Sequence, residues 1–183
     1  MVSMGTSQRD KAETHRRIVD LAARRLRERG IEGIGVADLM KEVGLTVGGF
    51  YKHFPSRDHL VAEAVASTFG QIRRKEGGGV ADVVDVYLAP EHRDAPGDGC
   101  PFAALAADLA RTPEMTRAPA GAEIARTIDA LAARLGGDRD GAILAYAALV
   151  GAVSLARVVP DAALSDEILA ATARRLKAEA NVG

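Results

Sequence analysis

The sequence predicts an all-α protein, with an N-terminal three-helix unit followed by a C-terminal helical unit. Three observations carry this: apolar residues recur at helical spacing in most segments, alanine crowds the second half, and aromatics make up only 4% of the chain. A β-sandwich or barrel would need more β-branched and aromatic residues. With 183 residues, of which 48% are hydrophobic and 27% charged, the chain can bury a substantial core. One cysteine forms no internal disulfide and no cysteine-based zinc site, which excludes a stapled secreted scaffold and fits a cytoplasmic protein. The opening MVSMGTSQRD lacks the apolar run of an export signal.

Residues 10–29 form the first expected helix, with Ile18, Val19, Leu21, Ala22 and Leu26 on one side and arginines on the rest. Gly30 follows the basic last turn, where a glycine commonly ends a helix. A short helix over 36–43 turns Leu39, Met40 and Val43 inward and stops at Gly44. Another short helix covers 47–53, with Thr46 as a side-chain cap for its first turn. Pro55 interrupts it, and Ser56 caps a fourth helix that starts at Arg57 and carries Leu60, Ala64, Val65, Phe69 and Ile72.

Glycines 77–79 mark a break. The expected division is therefore 1–55 for the DNA-binding domain, 56–76 for a connecting helix and 77–183 for the ligand-binding and dimerisation domain. Further helices are expected over 80–88, 101–111, 114–135, 139–158 and 164–179, with 89–99 as a loop. The uncharged stretch 141–156 is shorter than a bilayer span and reads as a core helix, so no membrane is expected. Residues 1–76 hold 14 basic against 10 acidic side chains and the remainder 10 against 15, so the two regions meet different partners.

The segment GLTVGGFYKHF at 44–54 carries the functional information. A helix, a glycine turn and a second short helix is the shape that places a recognition helix in the DNA major groove. Gly48 and Gly49 each cost about 1 kcal/mol of helix propensity relative to alanine, and close approach to a duplex explains them. Thr46, Tyr51, Lys52 and His53 offer donors for phosphates, while Phe50 and Phe54 pack inward.

Together with Pro55, Ser56, Arg57 and Leu60, this segment closely resembles the DNA-binding signature of the TetR family of bacterial transcriptional regulators, over about residues 10–65. The resemblance implies that Thr46, Tyr51, Lys52 and His53 touch phosphates, that Val47, Gly48 and Gly49 face base edges, and that Arg57 anchors a phosphate. Two positions depart from the pattern. Gly35 stands where the family usually has a capping threonine, and Arg57 replaces a usual lysine, keeping the charge and adding a bidentate grip.

The expected function is a ligand-responsive regulator, a repressor that binds a palindromic double-stranded DNA operator as a homodimer and is released by a small, mostly apolar effector. Tyr87, Phe102, Leu105, Leu109, Ile124, Ile128 and Tyr146 are the pocket candidates. Arg111, Arg117 and Arg126 are the main cations available to face inward, which points to a neutral or singly anionic ligand and not a polyphosphate. Leu144, Ala148, Gly151 and Leu155, with Ile168 and Thr172 on the next helix, are candidates for a symmetric four-helix interface; the same helices also pack within the monomer.

Cys100, between Gly99 and Pro101, supports two readings. It is a small buried residue near the pocket, the preferred one, or a thiol sensor of oxidants or electrophiles at a helix start. His92, beside Glu91 in an acidic loop, reads as solvated, so neither a metal nor another cofactor is expected. No nucleophile, base and orienting group come together, which disfavours an enzyme. A helical small-molecule-binding protein with an idle helix-turn-helix is the remaining alternative.

Overall fold

The computed structural model describes residues 4–73 and 78–180. The first glycine of the expected 77–79 break, the end of the expected connecting helix, and the first and last three residues of the chain lie outside the described residues. All regular structure among the described residues is helical.

The N-terminal unit is α1 (Met4–Arg29), α2 (Val36–Glu42), α3 (Val47–Phe50) and the start of α4 (Arg57–Arg73). Ile18, Ala22 and Leu26 of α1 meet Leu39 and Met40 of α2, Phe50 and Phe54 around α3, and Leu60, Ala64 and Val65 of α4 in one buried cluster. Gly30 ends α1 with φ +78°, a conformation that favours glycine. Its amide donates to the Leu26 carbonyl at 2.8 Å. Ser56 begins α4 as expected, its Oγ accepting from the His59 amide at 3.3 Å.

The C-terminal unit comprises α5 (Val80–Tyr87), α6 (Pro90–Asp94), a 3-10 turn (Pro96–Asp98), α7 (Pro101–Leu109), α8 (Glu114–Arg134), α9 (Arg139–Val158) and α10 (Ala162–Ala180). α9 packs between α8 and α10, α5 lies on α10, and α4 runs from the first unit onto α8. Phe69 of α4 stacks on Phe102 of α7 with centroids 5.7 Å apart, joining the two units through their cores. Asp138 caps α9 by accepting from the Gly141 amide at 2.9 Å. Asp161 Oδ1 accepts from the Ala163 amide at 2.8 Å, which starts α10 ahead of the expected residue 164.

Four expectations need correction. The 89–99 loop is α6 followed by the 3-10 turn; Pro90 and Pro96 each open a short helical turn, where the missing amide costs nothing. α3 is helical only to Phe50, and the amides of Lys52 and His53 close 3-10-type bonds to Gly49 and Phe50, since two glycines support little α-helix. Thr46 occupies the N-cap of α3, but its side chain makes no capping bond. The fourth concerns length: α9 spans 20 residues and is long and apolar enough, by length and composition, to cross a membrane. Its Ala142, Ala145, Leu149, Ala152, Val153 and Ala156 are nevertheless buried inside the bundle, as in a core helix.

Candidate nucleic-acid interface and interior cavity

Thr46, Val47, Gly48, Tyr51 and Lys52 are exposed in one short segment, with Val47 at 47% and Tyr51 at 70% exposure. The buried rings of Phe50 and Phe54, 5.4 Å apart, fix this segment to α1 and α4 from beneath. A Cβ added at Gly49 would meet only Met40 Cε at 3.7 Å and Thr46 Oγ1 at 3.8 Å, and one at Gly48 only Thr46 Oγ1 at 4.0 Å. These are ordinary contacts. Nothing among the described residues requires glycine at either position.

His53 is half-buried behind this strip, its ring 6.0 Å from that of His15, and its Nδ1 has no hydrogen-bond partner. Burial, then the nearby His15, Lys11 and Lys52, lower its pKa. His15 stacks on Phe54 at 4.5 Å and bonds Glu63 Oε2 at 2.7 Å. Sequence reading missed His15 because its partners lie just after α3 and on α4, far along the chain.

Arg57 stands apart from the strip. Its guanidinium donates to the carbonyls of Ile31 and Ile34, the latter at 3.4 Å, and lies 3.6 Å from Glu32. These contacts hold the α1–α2 loop. They engage Nε and Nη2 of the guanidinium, so Arg57 braces this loop whether or not it also meets a phosphate.

A cavity of about 700 Å³ opens in the C-terminal unit between α5, the 89–100 segment, α8 and α9. Tyr87 and Tyr146 line it as expected, and Cys100, Leu131 and Leu149 form buried wall. Phe102, Leu105, Leu109, Ile124 and Ile128 do not line it. Phe102, Leu105 and Leu109 are buried in the core, Phe102 taken up by Phe69, while Ile124 is exposed at the surface. α7 packs its apolar face against α1, α4 and α9 and so has none left for the cavity.

The expected inward cations also fail to reach it. Arg111 pairs with Asp108 at 2.9 Å, Arg117 with Glu114 at 2.6 Å and Arg126 with Glu123, all within one turn of their own helices. Instead Asp82, Asp85, Glu91 and Asp98 line the cavity, against Arg134 as its one arginine. An anionic ligand is therefore not what this wall suits.

His92 is tied on both ring nitrogens, which corrects its reading as a solvated loop residue. Nε2 accepts from the Cys100 amide at 2.8 Å, so Nδ1 carries the hydrogen and donates to the Tyr87 carbonyl at 2.6 Å. Arg157 braces the same segment by donating to the carbonyls of His92 at 2.7 Å and Arg93 at 2.9 Å. Cys100 sits at the N-cap of α7, and burial pushes its thiol pKa up. That suits a structural residue more than a reactive thiolate.

On α9, Leu144 is 59% and Leu155 60% exposed, and Ala148 and Gly151 lie between them at helical spacing. Ile168 and Thr172 on α10 are half-buried. A Cβ at Gly151 would meet nothing within 4 Å.

A buried three-helix platform that exposes a glycine-bearing recognition turn, joined to a helical bundle with a cavity, is the build of a helix-turn-helix DNA-binding regulator. Residues 18–64 match the family described as bacterial regulatory proteins, tetR family. The match is confined to the N-terminal unit, and the likeness over the whole chain is one of fold. A TetR transcriptional regulator from Chloroflexus aurantiacus is 24% identical, with a TM-score of 0.77 over 92% of this chain and 96% of that one. The reduced form of E. coli NemR is 20% identical, with a TM-score of 0.73 over 90% and 95% of the two chains. AibR, solved in complex with isovaleryl coenzyme A and operator DNA, is 15% identical, with a TM-score of 0.63 over 89% and 97%. No curated protein matches the sequence.

Proposed function

We propose that this chain is a cytoplasmic, non-enzymatic transcriptional repressor that binds a palindromic operator as a homodimer and lets go when a small, mostly apolar effector fills the cavity. Residues 1–55 are the DNA-binding domain, 56–76 the connecting helix and 77–183 the effector and dimerisation domain. The observation that carries the reading is the glycine pair at 48 and 49 in the recognition turn, which no contact among the described residues requires. Val47, Gly48 and Gly49 face base edges. Thr46, Tyr51, Lys52 and His53 bind phosphates around them, and Arg57 holds the loop that supports the platform.

Leu144, Ala148, Gly151 and Leu155 meet the same residues of a second copy, with Ile168 and Thr172 beside them. That interface sets the distance between the two recognition helices, which must match half-sites about 34–36 Å apart or a multiple of this. The effector acts through the cavity wall. Ala95, Asp98, Gly99 and Cys100 border the cavity, and the same turn holds α1 through the bond from Arg27 to the Gly97 carbonyl and the contact of Arg24 with Asp98 at 3.3 Å. An effector that prefers a shifted wall thereby favours a different pose of the DNA-binding domain. The fold neighbour AibR, captured with a small ligand and operator DNA, supports this reading.

Selection of bound duplexes from a random pool tests it. The proposal expects enrichment of one inverted-repeat motif, and recovery of no motif contradicts it.

A further inference from the structure

We propose that the cavity takes an organic cation with an apolar body; this rests on reading the cavity as the effector site. Four carboxylates line it, those of Asp82, Asp85, Glu91 and Asp98, against the single guanidinium of Arg134. His92 adds no charge, because one of its ring nitrogens accepts an amide bond.

The carboxylates are unequally committed. Asp85 is paired with Lys177, Asp98 lies 3.3 Å from Arg24, and Asp82 accepts from the Gly79 amide at 2.9 Å. Glu91, exposed on α6, makes no side-chain hydrogen bond or ion pair among the described residues. Arg134 spends donors on the carbonyls of Gly78 and Ala130. The field of the wall is thus net negative, with one carboxylate wholly available.

An independent observation comes from the inner wall. Tyr87 lines the cavity with a buried hydroxyl that has no partner in hydrogen-bonding geometry, and Tyr146 presents a second aromatic ring beside apolar Leu131 and Leu149. That hydroxyl lies beside the buried Cys100 thiol, so the cavity's inner wall is aromatic and apolar with little polar competition for a ligand. Aromatic rings with carboxylates at the rim attract cations that are too apolar to be held well by water, through the ring quadrupole and a charge that solvent only partly screens. A polyanion such as an acyl coenzyme A would meet a rim whose carboxylates outnumber its one lining arginine.

The test uses two ions of one shape and opposite sign, tetraphenylphosphonium and tetraphenylborate, titrated calorimetrically into the full chain. The phosphonium should bind at least about tenfold more tightly, with the ratio shrinking as salt is raised. Glu91→Lys, and the milder Glu91→Gln, should each reduce the ratio without lowering the melting temperature, since Glu91 holds no other group. Equal or tighter binding of the borate overturns the inference, as does an unchanged ratio in both variants. Release of a selected duplex is read separately. Phosphonium binding without release would sink the regulatory reading and leave the ligand class standing, whereas release by anions alone would do the reverse.

Discussion

Arg27 Nε donates to the carbonyl oxygen of Gly97 at 2.8 Å, a buried bond that fastens the last turns of α1 to the 3-10 turn beside the cavity. The approach is close. A Cβ at Gly97 would stand 2.6 Å from Glu28 Oε1 and 2.9 Å from Arg24 Cγ. Burial lowers the Arg27 pKa, Asp98 opposing, so a guanidinium that loses water is held by one carbonyl and a nearby carboxylate. A second tie runs from the Ile31 amide to Asp108 Oδ2 at 3.0 Å, linking the end of α1 to α7.

Arg27→Leu removes the donor and leaves the Gly97 carbonyl buried and unsatisfied. It should cost about 1.5–3 kcal/mol in urea unfolding, the range for hydrogen bonds to charged groups. Gly97→Ala should push the turn from α1 and weaken communication between the domains while leaving the recognition turn intact. Stability equal to the parent in both variants would show that the contact carries no load.

Lys52→Ala should weaken binding to specific and random duplexes alike and lower the slope of log affinity against log salt by about one unit. Lys52 is exposed, so the substitution leaves the fold alone. An unchanged slope with lost sequence preference would move Lys52 from phosphate to base contact.

Folded His53 holds its proton less readily than the ordinary imidazole, because of burial and then of His15, Lys11 and Lys52. The unfolded chain therefore binds more protons than the folded one across the window just below the ordinary value of about 6.5. Stability should be undiminished by this group above that value and fall as pH drops towards the lowered one. Melting temperatures measured across this range should decline less in His53→Gln than in the parent. Parallel curves would remove His53 as the cause.

Leu144→Glu and Leu155→Glu place charges on side chains that are mostly exposed in one protomer, so the monomer should still fold. Light scattering should give a dimer for the parent and a monomer for each variant, since a charge buried unpaired in an interface is costly. A monomeric parent at micromolar concentration would end the interface assignment.

Much of the fold was legible because local chemistry decides it. Gly30, Ser56 and Pro101 mark helix ends by backbone rules, and the apolar faces of α1 and α9 follow helical spacing. The N-terminal unit was legible in outline, since glycine, serine and proline mark its helix ends, though the extent of α3 and the Thr46 cap were not. The cavity was not. Whether Phe102 faces ligand or Phe69 depends on how α7 settles against α4, and the arginines at 111, 117 and 126 turned to carboxylates one turn away on their own helices. The same holds for Arg57, whose carbonyl partners Ile31 and Ile34 come from a loop that spacing alone does not place. The 89–99 segment carried helix-opening prolines, a signal that could have revealed α6.

The central claim is that cavity and recognition turn are energetically linked, and one anisotropy titration addresses it directly. A duplex recovered by selection is bound with and without a saturating compound shown by protection of cavity residues to occupy the cavity, in the parent and in Arg27→Leu. The account predicts that the compound weakens duplex binding about 5–150-fold in the parent, that the duplex weakens compound binding by the same factor, and that Arg27→Leu reduces both. A factor of one in the parent, with the cavity demonstrably filled, would contradict it.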